Sequence, residues 1–107
     1  MVVVIDAAGQ AGSPLLVLFA GHGDRGESPS DNVFALWANT ALTPIDVATG
    51  LDTVAAPRQV RLVVSTCHSG GFQEVLFRGG TPDGGVSPQD RCGLFSTTWD
   101  RQASGCT

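Results

Sequence analysis

The sequence has no lysine: its six basic residues are all arginines, set against ten acidic ones, for a net charge of −4. No cationic run exists that could neutralise a row of phosphates, which argues against a nucleic-acid partner. Long apolar runs are missing as well. Runs such as Val2 to Ile5 and Leu15 to Ala20 fall far short of the ~20 residues needed to cross a bilayer. No charged segment leading into an apolar core marks a signal peptide, so no membrane partner is expected and the compartment is left open. The cysteines, Cys67, Cys92 and Cys106, are odd in number and lack CxxC spacing, which argues against a zinc ribbon, a redox pair or a disulfide scaffold. Neither an internal repeat nor a coiled-coil heptad is present.

What remains is 107 residues, 42% hydrophobic and 15% charged, a composition that fits one compact domain spanning 1–107 with a single core. Glycine is plentiful and clustered, at Gly21 to Gly26, at Gly70-Gly71 and at Gly79 to Gly85, marking loops at element ends. Val2 to Ile5 is read as a short strand, followed at once by Asp6 to Pro14, which reads equally as a frayed helix end and linker. Leu15 to Ala20 and Val60 to Ser65 are continuously apolar, the pattern of parallel strands covered on both faces. Val33 to Trp37 suits a further short strand or hairpin arm. Thr43-Pro44 reads as an N-cap with proline in the first turn, opening a helix whose apolar face carries Ile45, Val47, Ala48, Leu51, Val54 and Ala55 and which Pro57 ends. A short helix is expected over Phe72 to Phe77, a loop over Gly79 to Asp90, and a strand over Gly93 to Thr98. The fold class is α/β, with four or five strands and at least two helices. No helix follows to cover the last strand, so the domain is expected to be truncated at its C-terminus, with the N-terminus open too.

Both apolar strands end in chemically loaded corners, His22-Gly23 after the first and Cys67-His68-Ser69-Gly70-Gly71 after the second. Parallel strands would bring both to the carboxyl edge of the sheet, where α/β folds build their sites. A thiol and an imidazole meeting there can serve as nucleophile and general base in acyl transfer. The start of the following helix would favour the thiolate of Cys67. The N–H groups of Gly23 and Cys67 could together form an oxyanion hole.

The segments Leu15-Leu-Val-Leu-Phe-Ala-Gly-His-Gly and Leu62-Val-Val-Ser-Thr-Cys-His-Ser-Gly-Gly resemble the caspase-type clan of cysteine peptidases. His22-Gly23-Asp24-Arg25-Gly26, Cys67-x-Ser69-Gly70-Gly71-Phe72 and the tail Asp100-Arg101-x-x-Ser104-Gly105-Cys106 look most like bacterial legumain-like peptidases. Cys67-His68-Ser69-Gly70 is also the metacaspase pattern. The resemblance implies a caspase-like three-layer α/β/α sandwich with a mostly parallel sheet. It also implies a cysteine-type endopeptidase acting on a peptide or protein substrate without cofactor or metal. Under it, His22 is the base, Cys67 the nucleophile, and Gly23 with the Cys67 backbone the oxyanion hole. Ser65 stands where those families carry an acidic residue that shapes the S1 pocket, so substrate contact is assigned to Ser65 without a P1 preference. No Asn precedes His22 to orient it, and Gln-Ala does not precede Cys67 as in caspases proper.

The blander readings stand beside these. Cys67 can be an inert buried thiol, and His22 an ordinary loop histidine. His68 is a second base or a metal ligand, although with His22 and Cys67 it matches no zinc spacing. Trp37 and Trp99 read as core or edge aromatics, with Trp99 alternatively walling a substrate pocket. Asp100-Arg101 reads as a solvated ion pair, and Cys92 and Cys106 as bystanders. The reading from another functional class is a catalytically inactive caspase-like interaction module, or a peptidase fragment.

Overall fold

The computed structural model describes residues 14–36, 40–53 and 59–104. The expected strand at Val2 to Ile5, and Trp37, Val54, Ala55, Pro57 and Cys106, lie outside the described residues. The protein is a small α/β domain built on a three-stranded parallel sheet. Strand β1 (Leu15–Ala20) gives way to a short β2 (Gly23–Asp24), then β3 (Val33–Ala35) and β4 (Ala41–Leu42). Helix α1 (Pro44–Asp52) leads to β5 (Gln59–Ser65), a 3-10 helix over Ser69–Leu76, and β6 (Asp90–Phe95). The parallel sheet has the order β1-β5-β6, and β2, β3 and β4 form a separate antiparallel sheet.

Helix α1 starts as its sequence dictates. Thr43 accepts from the Asp46 amide through its hydroxyl, the Asp46 carboxylate accepts from the Thr43 amide, and Pro44 occupies the first turn. Its buried face is Pro44, Val47, Ala48 and Leu51; Ile45, expected on that face, is exposed. The helix ends at Asp52 with Thr53 as its cap, whose amide reaches back to Gly50 and Leu51.

On the central strand β5, Val60, Leu62 and Val64 alternate onto one face. There they join Phe19 of β1, Val47 and Leu51 of α1, and Phe72 and Val75 of the 3-10 helix in a single core. Phe19 also meets the rings of Phe34 and Phe72 at centroid distances of 5.2 and 5.9 Å. The opposite face differs from the expectation of a sheet covered on both sides. Leu16, Leu18 and Leu94 are 68, 64 and 72% exposed there, so among the described residues only one face of the sheet carries a covering layer. The third layer of a caspase-like sandwich is therefore not part of the described fold.

Strand β6 begins three residues before the expected Gly93. Asp90 and Arg91 pair with Gln59 and Val60, and the strand ends at Phe95, before the expected Thr98, with the Ser96 amide still donating to the Val64 carbonyl at 3.1 Å. The buried guanidinium of Arg91 explains why a charged residue fits in this strand. It pairs with Asp52 of α1 at 2.7 Å and donates to the Val75 carbonyl and to the Gln89 side chain. The segment between the 3-10 helix and β6, expected as a loop, holds two short 3-10 turns (Arg78–Gly80 and Pro82–Gly84) and a bridge between Phe77 and Val86.

Candidate active site

Parallel pairing sets Ala20 beside Ser65 at the carboxyl ends of β1 and β5. The two corners that follow are consequently neighbours. They enclose a cavity of about 180 Å³ lined by Gly21, His22, Ser65, Thr66, Cys67, Ala103 and Ser104. His22, Cys67 and Ser65, singled out from the sequence, thus border one space. Trp99 is not among the lining residues, and the pocket wall assigned to it is supplied by Ala103 and Ser104.

His22 is exposed, and its carbonyl accepts from the Ala35 amide at 2.9 Å, so the antiparallel sheet holds the backbone that carries it. Gly23 follows in β2, opposite Phe34. A Cβ at Gly23 would run into the Cys67 carbonyl, so the absence of a side chain is what allows the two corners this close an approach. Cys67 is 6% exposed and sits just past β5. The Thr66 hydroxyl donates to its carbonyl at 3.1 Å.

Cys67 is disulfide-bonded, whereas Cys92 on β6 is an exposed free thiol. The sequence argued against a disulfide scaffold, and a disulfide is nevertheless present at this residue. A sulfur held in a disulfide is neither a proton donor nor a thiolate, so nucleophilic chemistry at Cys67 requires prior reduction.

His68 is the one non-glycine among the described residues with a left-handed backbone, at φ 60° and ψ 24°. Its amide donates to the Arg101 carbonyl at 2.8 Å, and its Nδ1 is buried without a hydrogen-bond partner. The described residues hold no cluster of three metal-ligating side chains. Ser69, fully buried, accepts from the Thr97 amide at 3.0 Å and pairs with the Ser96 hydroxyl, which in turn donates to the Thr66 carbonyl. The Cys67 corner is thereby fastened to the end of β6. The Asp100 carboxyl is held below the usual carboxylate range, first by the Thr98 hydroxyl at 2.8 Å and then by backbone donation, with smaller help from Arg101 and Arg25.

Sequence reading missed Asn32. It is fully buried, and each polar atom of its amide is used: Oδ1 accepts from Gly26, and Nδ2 donates to the carbonyls of His68 and Trp99. The only signal available beforehand was the Gly70-Gly71 pair, because a Cβ on Gly71 would stand 2.5 Å from Asn32 Nδ2. Set against protein-family models, curated proteins and solved structures, the chain gives no match in any of the three comparisons.

Proposed function

We propose that the chain is the dyad-bearing domain of a cysteine-type endopeptidase, active when Cys67 is reduced. The observation that carries this reading is the single cavity shared by His22 and Cys67 at the ends of adjacent parallel strands. In the proposed reaction His22 takes the proton of the Cys67 thiol, and Sγ attacks the carbonyl carbon of the scissile peptide. The oxyanion is stabilised by the N–H groups of Gly23 and Cys67. Imidazolium then protonates the leaving amine, leaving a thioester on Cys67 that water hydrolyses with His22 again as base. Ser65 on the cavity wall meets the substrate. The resemblance of both corners to caspase-type, legumain-like and metacaspase motifs supports the same assignment.

A second reading is an inactive caspase-like interaction module, and the disulfide at Cys67 favours it, since that bond occupies the sulfur the reaction needs. Peptide-library cleavage before and after treatment with a dithiol reductant separates the two. The peptidase reading expects cleavage only after reduction, with Cys67→Ala abolishing it and His22→Ala lowering it at least about 100-fold. No cleavage by the reduced, folded chain supports the module.

A further inference from the structure

We infer that Asn32 is a positioning residue that sets one wall of the cavity by holding the segment 97–104 against the nucleophile corner. Ala103 and Ser104 line the cavity, but they belong to a segment with no regular secondary structure. What fixes it is hydrogen bonding. Asn32 Nδ2 donates at 2.9 Å to His68 and at 2.7 Å to Trp99, so one amide group bridges the corner and the segment. The His68 amide adds a second tie, to Arg101, two residues before Ala103. Asn32 Oδ1 accepts from Gly26 at 2.9 Å, anchoring the bridge to the loop that starts at His22. Three chain segments that border or lead into the cavity thus meet at one fully buried side chain.

The chemistry at this position demands an amide. Two carbonyls need two donors and one N–H needs an acceptor, which is the inventory of Asn and of no carboxylate or hydroxyl. Asn32→Asp retains the acceptor for Gly26 but turns an oxygen toward the carbonyls of His68 and Trp99. The segment 97–104 should then detach from the corner while the core, which Asn32 does not join, persists.

The effect on turnover rests on the peptidase reading, and the effect on the wall does not. In folded, reduced Asn32→Asp, amide exchange over 97–104 and at His68 should rise at least about tenfold, since both hydrogen bonds donated by Nδ2 are lost. Iodoacetamide should alkylate Cys67 faster by a similar factor. With a cleaved peptide, KM should rise about tenfold while kcat stays within about threefold, the pattern of a binding wall rather than a reacting group. Wild-type exchange and alkylation rates in the variant overturn the inference. If wild-type protein cleaves nothing but exchange and alkylation still respond, the peptidase reading fails and the positioning role stands. Should Asn32→Asp not fold, Gly71→Ala tests the same contact from the other side, because its Cβ would stand 2.5 Å from Asn32 Nδ2. In the wild-type protein, the side-chain Nδ2 protons of Asn32 should be protected to the same degree as the His68 amide. Rapid exchange of those protons overturns the bridge directly.

Discussion

Glu74 buries its carboxyl in the 3-10 helix, and Oε2 has no hydrogen-bond partner there. Burial raises its pKa above the usual carboxylate range. The folded state therefore binds this proton more tightly than the unfolded one. Its contribution is fully present below the ordinary carboxylate pKa and is lost as pH rises through the raised value. Glu74→Gln should remove that loss. In urea melts across about pH 4 to pH 7, the variant should gain on wild type as pH rises and match it in acid; a constant offset at all pH would show that Glu74 does not titrate on folding. Cys67 permits a simpler check at the same scale. Denatured without reductant the chain should be labelled at Cys92 and not at Cys67, and after reduction at Cys67 as well. Labelling of Cys67 without reductant would show that the disulfide is not retained in solution.

Between elements, the contacts that matter most are polar ones at the helix start and at β6. Thr43→Ala removes the hydroxyl that caps α1 and should cost about 1 kcal/mol in denaturant unfolding. Arg91 is the larger case. Its side chain is 1% exposed and joins β6 to Asp52 of α1 and to the carbonyl of Val75. Arg91→Ala would take the guanidinium from the Val75 carbonyl and from Asp52, whose other oxygen keeps the Gly79 amide, and should cost about 1–3 kcal/mol; Arg91→Lys should recover only part because it cannot reproduce the planar fork. These two residues also mark how far local sequence signals reach. The cap of α1 was legible because every part of it lies within four residues, and β1 and β5 were legible from their apolar runs. Strand β6 was misplaced toward Leu94-Phe95, since Asp90 and Arg91 look like loop residues until Asp52, 39 positions from Arg91, is brought beside them. Of the antiparallel sheet only β3 was read, from Val33 onward, because Gly23–Asp24 and Ala41–Leu42 are two-residue strands, too short to carry a period, and exist only through pairing. In the site, His22 and Cys67 were found because each ends a readable strand. Asn32 was not, as its partners His68 and Trp99 lie 36 and 67 positions away.

At the scale of the molecule, the parallel sheet is asymmetric among the described residues, and this decides how substitutions on one strand will behave. Successive side chains of β1 and β5 point to opposite faces, so neighbours in sequence belong to different environments. Leu62 faces the core at 1% exposure, packed in the cluster that includes Phe19, Leu51 and Phe72. Leu18, of the same residue type and also in a parallel strand, faces outward with Leu16 and Leu94. Parallel sheets are ordinarily covered on both faces, and a contiguous apolar surface of this kind binds hydrophobic probes. Leu62→Ala should therefore lower stability by about 2–5 kcal/mol, the cost of lost burial plus an unfilled cavity. Leu18→Gln should change stability by no more than about 0.5 kcal/mol, because the side chain has little burial to lose. The same Leu18→Gln change should reduce binding of a hydrophobic fluorophore to the native chain, whereas Leu62→Ala should not reduce it. Denaturant melts and dye titration on the two variants decide the matter together. A large stability loss in Leu18→Gln would mean that the outer face is covered in solution, which is the arrangement the three-layer sandwich requires and the described residues lack.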